Sequence, residues 1–448
     1  MASTFGHPTR RGLLRNTAWL AALGAAGLDQ PAFAQTGNFD WKRFKGQHIE
    51  VALVKGPRPD VLQRYQKEFE DLTGISVGSE QVPEQQLRQR NMIQFASGHP
   101  AIDVALLSLH VEKRVFGAAK WLMDLRPYLA DPTLTSPDFA FDDFAAGGKL
   151  FSTQADGRID TFPLSLDYAV LYWNKEMFAA KGVAYPKTLA EIADAAAALT
   201  DPAKQTYGFV ARGMKNANTY VWACLMLGWG QDSVVDGKLN TTGPAAVQSA
   251  ELFTKLMRNY APPGVVGFNW NESQTSFMQG TAAMWIDSSG FAGPLEDPTH
   301  SRVVGKVGYG VIPAGPVAHA VGLTGDALGV AAASEHKGAA YFYIQWATAK
   351  LNEARFLQTG VGVGARDSIL KDPTVLAAMT PATRAWAQCM QESAPLGHPC
   401  LPNIIPVTEF RDVFGIALTN MITGGDIAKE LANATATFAP TLAKSELG

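Results

Sequence analysis

Strand-like and helix-like segments alternate along this chain, and that alternation narrows its fold more than any other feature. The stretch HIEVALV (residues 48–54) alternates in polarity and is rich in β-branched residues, so it reads as a strand. A loop with Gly56, Pro57 and Pro59 follows, and Asp60 is placed to cap a helix whose apolar positions are Val61, Leu62, Tyr65, Phe69 and Leu72. Gly74 stands where that helix should stop. Residues 103–107 form the next short apolar strand. This β-loop-α-β order implies an α/β fold, a parallel sheet covered by helices. The pattern returns further on. Residues 168–173 read as an aromatic strand, and Thr188 with Glu191 forms a capping box that opens an alanine-rich helix through Leu199. Residues 282–286 are an apolar strand after a short helix ending near Gly280, and residues 309–312 precede the turn of Pro313 and Gly315. Residues 338–357 read as one long amphipathic helix carrying Tyr341, Ile344, Trp346 and Phe356. The chain has 448 residues, more than one hydrophobic core usually serves, so two lobes are expected. No long flexible linker separates them, so crossing strands should join them.

The N-terminus carries its own signal. TRRGLLR (residues 9–15) precedes an apolar run at residues 17–28 and the small-residue sequence Ala32-Phe33-Ala34. A charged start, a short apolar stretch and small residues before the cut make a signal peptide over residues 1–34, and hence a periplasmic protein. The arginine pair, Arg10 and Arg11, resembles a twin-arginine export signal; an ordinary Sec signal is the alternative. The apolar run is too short to span a bilayer as a helix, and no cysteine follows the cut to take a lipid. The formal net charge of −3 is not the basic balance of a nucleic-acid binder. Cys224 lies in the apolar run YVWACLML (residues 220–227) and reads as a buried thiol. Cys389 and Cys400 flank Pro395, Gly397 and Pro399; in an oxidising compartment such a short loop suggests a Cys389–Cys400 disulfide, with two free thiols as the alternative.

The search for catalysis is negative. There is no Gly-x-Ser-x-Gly elbow, and each Gly-Lys pair (at 148, 237 and 305) is followed by an apolar residue rather than Ser or Thr. The eight histidines are scattered without metal-ligand spacing, so no metal and no catalytic residue is assigned. Gly360, Gly362 and Gly364 meet a loose dinucleotide pattern, but they follow a helix and not a first strand, so no cofactor is expected and a glycine-rich bend between lobes is the plainer reading. Asp142, Asp143 and Asp167 are the carboxylates that could serve a glycosidase, which needs two carboxyls flanking the scissile bond. Asp142 and Asp143 read as solvated surface, and Asp167 as an acceptor for ligand hydroxyls.

Several motifs then fall in order. FEDLTGISV (69–77), PLSLDYAVLYWNK (163–175), Gly182, PKTLAE (186–191), Tyr207-Gly208, FMQGTAAMWID (277–287), GKVGYG (305–310), PAGP (313–316) and HKGAAYFYIQW (336–346) together resemble the family 1 extracellular solute-binding proteins of ABC transporters. QTGVG (358–362) and Arg411-Asp412 look closest to the sorbitol/mannitol-binding branch. The resemblance implies a two-lobed α/β clamshell, each lobe a mainly parallel sheet flanked by helices, that closes on a sugar or sugar alcohol and docks on an ABC permease at the inner membrane. It implies lobes at residues 35–165 with 321–361 and at 166–320 with 362–448, in a monomer without enzyme activity. A sugar offers hydroxyls and C–H faces, so its binder needs carboxylates, amides and aromatic rings.

The resemblance also carries ligand-contact positions. Asp167 matches the acid of the crossing segment. Ser108 and His110 follow the strand at 103–107, and Asn218, Tyr220 and Trp222 form a polar and aromatic segment. Asp287, Ser288 and Phe291 form the turn after the strand at 282–286. Gly325 and Asp326 occupy a place often written Gly-Trp, so an aromatic platform is missing there. Arg411 falls where maltose-binding relatives have an aromatic, which favours a smaller or more polar ligand than a maltodextrin. For each position, a place in the core or on a surface helix is the competing reading. The rival function is a secreted glycan hydrolase or lyase. A polyamine or metal receptor would need a strongly acidic cleft or clustered Tyr and His ligands.

Overall fold

Eight strands are hydrogen-bonded into one sheet. They are β1 (His48–Val54), β2 (Ser76–Val82), β3 (Val104–Ser108), β4 (Phe162–Asn174), β5 (Met284–Ser288), β6 (Val307–Val311), β7 (Val321–Val330) and β8 (Gly397–Pro399). Their order is β2-β1-β3-β7-β4-β5, with β8 beside β7 and β6 beside β4. The structure, a computed structural model, describes residues 38–362 and 364–445. The expected signal peptide at 1–34, with its twin-arginine pair, lies outside the described residues.

The crossovers follow from the sequence. Helix α1 (Pro57–Thr73) returns the chain from β1 to β2, and α2 (Glu84–Ala96) from β2 to β3, so β1 lies parallel to both β2 and β3. Pro57 suits the first turn of α1, whose amide hydrogens have no intrahelical acceptor, and Gly74 closes the helix at φ 71°. The face of Val61, Leu62 and Phe69 is buried. Strand β4 is the crossing element. Its first half pairs antiparallel with β7, and its second half lies antiparallel between β5 and β6. Twelve of its thirteen residues are buried, as expected for a strand covered on both faces. On one side of the cleft, α3 (Leu109–Ala119) and α8 (Lys337–Ala347) pack on the sheet. On the other, α5 (Asn218–Met226), α6 (Pro244–Asn259), α11 (Val407–Ile422) and α12 (Ile427–Ser445) pack on one another, and α10 (Pro381–Ser393) packs on β6. Helix α4 (Leu189–Leu199) packs on α6, α7 (Trp270–Met278) on β5, and α9 (Lys350–Thr359) on α1 and α10. Among the described residues no helix is long and apolar enough to cross a membrane.

Three expectations are corrected. Helix α1 starts at Pro57 rather than after Asp60, because proline pre-sets the first-turn dihedral; Asp60 sits inside the first turn. The helix expected over 338–357 is two, α8 and α9. Thr348 Oγ1 donates to the Ile344 carbonyl, Asn352 Nδ2 to that of Trp346 and Arg366 Nε to that of Thr348, which satisfies the carbonyls freed where α8 stops. Finally, Cys389 and Cys400 are free thiols, as is Cys224, and form no disulfide with each other. Cys389 is buried on α10 beside Ser393. The parallel pairing of β8 with β7 instead seats Cys400 against Cys224: a Cβ on Gly322 of β7 would come within 2.2 Å of Cys224 Sγ and 3.3 Å of Cys400 Cβ.

Candidate functional site

The chain leaves β1, β3 and β5 toward one place, the crevice beyond the carboxyl ends of the strands, where open α/β sheets hold ligands. Residues 54–59 after β1, Ser108 and His110 after β3, and Ser288, Gly290 and Phe291 after β5 line a cavity there. Asp167 of β4, Thr324 and Asp326 of β7, Tyr220 of α5, Trp270 of α7 and Arg411 of α11 also line it, with Glu84, Arg212, Leu106 and Leu401. The strand register explains the polar cluster, because Asp167 lies opposite Thr324, Ser165 opposite Asp326, and Ser108 opposite Asp326. The cavity measures about 90 Å³. That is room for several waters, in a cleft that stays partly open to solvent.

One end of the cavity is acidic. The Arg58 guanidinium lies between two carboxylates: Nη1 is 2.7 Å from Asp167 Oδ2 and Nη2 is 3.1 Å from Asp326 Oδ2, with a further bond to Ser165 Oγ. Burial opposes its charge, but the two aspartates outweigh that and raise its pKa. Burial also raises the Asp326 carboxyl, against the pull of Arg58, and nearby Asp167 adds to the rise. Two carboxylates sharing one guanidinium leave this end with surplus acceptor capacity. Asp167 Oδ1 is enclosed and has no protein partner. Gly290 forms the floor beside it, where a Cβ would come 2.9 Å from Asp167 Oδ1.

The other end is basic. Arg212 Nε lies 3.0 and 2.9 Å from the two Asp287 carboxylate oxygens, and Arg88 Nη2 lies 2.6 Å from Glu84 Oε1. Burial would raise the Glu84 carboxyl, but Arg88, Arg212 and Arg411 hold it down at about 2. Burial, Arg88 and Arg411 push His110 down to about 3, so its ring is neutral near pH 7. Its Nδ1 lies 3.4 Å from the Gly325 carbonyl; with that nitrogen donating, Nε2 is left as an acceptor. Arg411 is 3% exposed, and burial followed by Arg88 lowers its guanidinium to about 9.

An aromatic wall joins the two ends. Trp270 and Phe291 stack with centroids 4.7 Å apart at 7°, and Arg212 lies over the Tyr220 ring at 4.9 Å. Such rings offer flat apolar faces to C–H groups.

Eight of the expected contact residues therefore line the cavity: Ser108, His110, Asp167, Tyr220, Ser288, Phe291, Asp326 and Arg411. Four do not. Asn218 Nδ2 donates to the carbonyls of Gly213 and Gly415, pinning α5 to α11. Trp222 is fully buried, donates to Ser249 Oγ at 3.0 Å and stacks on Phe414, because α5 is enclosed on all sides. Asp287 is fully buried behind the wall and acts by holding Arg212. Gly325 contributes only its carbonyl to His110. The sequence reading missed Arg58, Glu84, Arg212 and Trp270. Arg58 and Glu84 each sit at the start of a helix that follows a strand, a position that the carboxyl-end rule marks; no sequence signal marks Arg212 or Trp270.

Residues 55–352 match the sequence profile of the bacterial extracellular solute-binding proteins. The chain belongs to that family. The erythritol/L-threitol-binding protein of Mycolicibacterium smegmatis is 25% identical over 367 residues, 76% of each chain. A probable amino-acid ABC transporter periplasmic-binding protein of Sinorhizobium fredii is 27% identical, over 80% of this chain and 82% of its own. Among solved structures, an ABC transporter solute-binding protein of Agrobacterium radiobacter in complex with ribitol superposes with a TM-score of 0.80 at 26% identity, covering 88% of this chain and 98% of its own. The solute-binding protein described here thus has the two-lobed α/β periplasmic-binding fold.

Proposed function

We propose that this protein takes a small sugar or sugar alcohol into the cleft and delivers it, chemically unchanged, to an ABC permease. The observation that carries the reading is the lining of the cleft, with carboxylates and guanidiniums for hydroxyls at both ends and a stacked aromatic wall between them. The relatives named for erythritol/L-threitol and ribitol support a polyol over a longer saccharide. The ligand contacts are Ser108, His110, Asp167, Tyr220, Ser288, Phe291, Asp326 and Arg411, joined by Arg58, Glu84 and Trp270. The protein works as a monomer in the periplasm, reached through a twin-arginine signal. Residues 35–165 with 321–361 move as one lobe and 166–320 with 362–448 as the other. The bends fall at β4 and near Gly360, whose φ of 67° favours glycine. Ligand contacts from both lobes form together only in the shut cleft, so ligand shifts the population toward closure. A thermal-shift screen of tetritols, pentitols, hexitols and monosaccharides tests the reading, because a ligand of the native state raises its melting temperature. A hit should also reduce the radius of gyration in solution scattering. A screen without any hit among these classes would sink the proposal.

A further inference from the structure

We infer that the ligand bears a carboxylate and that Arg411 receives it, so that the preferred solute is a polyhydroxy acid, a short aldonate, rather than the neutral alditol. The inference rests on the reading of the cleft as a small-polyol site and adds the charge of that polyol.

Arg411 lines the cavity from α11 and is 97% enclosed, yet it makes no hydrogen bond or ion pair among the described residues. Its Nε is enclosed without a partner. Each of the other guanidiniums nearby has an ion-pair partner: Arg58 has Asp167 and Asp326, Arg212 has Asp287, and Arg88 has Glu84, although the Arg88 nitrogens form no hydrogen bond. Glu84 and Asp412 are the carboxylates whose charge reaches Arg411, but neither forms a hydrogen bond or ion pair with it among the described residues. Arg88 and Arg212 repel it, Glu84 is engaged by Arg88, and His110 is neutral. Its neighbour Asp412 turns outward to Asn216 and Lys215. A buried guanidinium without a directly hydrogen-bonded partner is unfavourable unless something supplies one. A hydroxyl solvates a guanidinium but does not neutralise it, whereas a carboxylate meets it through two parallel N–H···O bonds. Arg411 presents one guanidinium fork, which a single carboxylate fills. At the other end, Asp167 Oδ1 lacks a donor, as a site for hydroxyls requires. The cavity is thus polarised, with an acceptor end for the polyol tail and a cationic end for the acid. That polarity sets the orientation in which the solute lies.

Calorimetric titration of the wild-type protein with matched pairs tests this: erythritol and erythronate, ribitol and ribonate, sorbitol and gluconate. In at least one pair the aldonate should bind about tenfold or more tightly than its alditol, the scale of one charge-assisted contact. Arg411→Gln should close that gap, chiefly by weakening the aldonate. Arg411→Lys, which keeps the charge without the fork, should close part of it. The wild-type comparison stands even if a variant fails to fold. Alditols binding as tightly as their aldonates would overturn the assignment to Arg411 and leave the polyol reading intact. sn-Glycerol 3-phosphate binding more tightly than every aldonate would overturn the choice of carboxylate. Binding of neither series would overturn the polyol reading and this inference with it.

Discussion

Replacing Asp167 by asparagine removes one negative charge from the acidic end of the cleft while keeping the shape of the side chain. Two consequences separate. The first is stability. Breaking a buried ion pair costs about 3–5 kcal/mol when the surviving charge is left alone. Here Arg58 keeps Asp326, 3.1 Å from Nη2, and Asp326 loses the repulsion of Asp167. The net loss should therefore be nearer the worth of one hydrogen bond, about 1 kcal/mol. The second is affinity. Asp167 Oδ1 has no protein donor, and on the proposed reading a ligand hydroxyl supplies one. A hydrogen bond to a charged group is worth about 1.5–3 kcal/mol, which is roughly a 10- to 150-fold loss of affinity. Ribitol and ribonate should suffer alike, because this end holds hydroxyls in both. Calorimetric titration gives the affinities, and urea unfolding of the unliganded variant gives the stability. Affinity unchanged within about twofold would remove Asp167 from the site. A stability loss above about 3 kcal/mol would refute the claim that Asp326 alone can hold Arg58.

Three further outcomes follow from the same geometry. Arg212→Gln leaves Asp287 fully buried without its cation and should cost about 3–5 kcal/mol in urea unfolding; a loss under about 1 kcal/mol would show that the pair is not what supports the wall. His110 is held near 3, below its ordinary 6.5, so in that window the unfolded chain binds the proton and the folded one does not, and stability falls as pH drops from about 6.5 toward 3. His110→Asn should lessen the acid-side fall in melting temperature, and an unchanged pH profile would count against the burial of a neutral ring. Mild oxidation with diamide should join Cys224 to Cys400 and leave Cys389 free; peptide mapping that finds Cys389 bridged to Cys400 would contradict the packing around Gly322.

How far the sequence spoke depended on whether a feature is local. Strand β1 is legible to the residue because its alternation and β-branching need no partner to be read. The two-helix break at Thr348 was not, since it depends on Arg366 reaching back to the Thr348 carbonyl from 18 residues away. Asp167 and Asp326 were found through motif order, and the register of β4 on β7 brings them together. Arg58 was missed because its loop reads as a mere connection, and only the pairing of distant strands turns it toward two aspartates. Trp222 was lost to the core for the opposite reason: periodicity cannot separate a wall residue from a packed one on a helix that is buried all round. The cysteines show the same limit, because a short Pro/Gly loop suggested one partner and the pairing of β8 with β7 supplied another.

The central claim is reversible capture without chemistry, and equilibrium dialysis with mass-spectrometric recovery of the ligand tests it most directly. Incubated with isotopically labelled ribitol and ribonate, the protein should retain at most one ligand per chain and return all of it at unchanged mass. Release of a cleaved, oxidised or dehydrated product in excess of one equivalent per chain would contradict the account and make the cleft an active site.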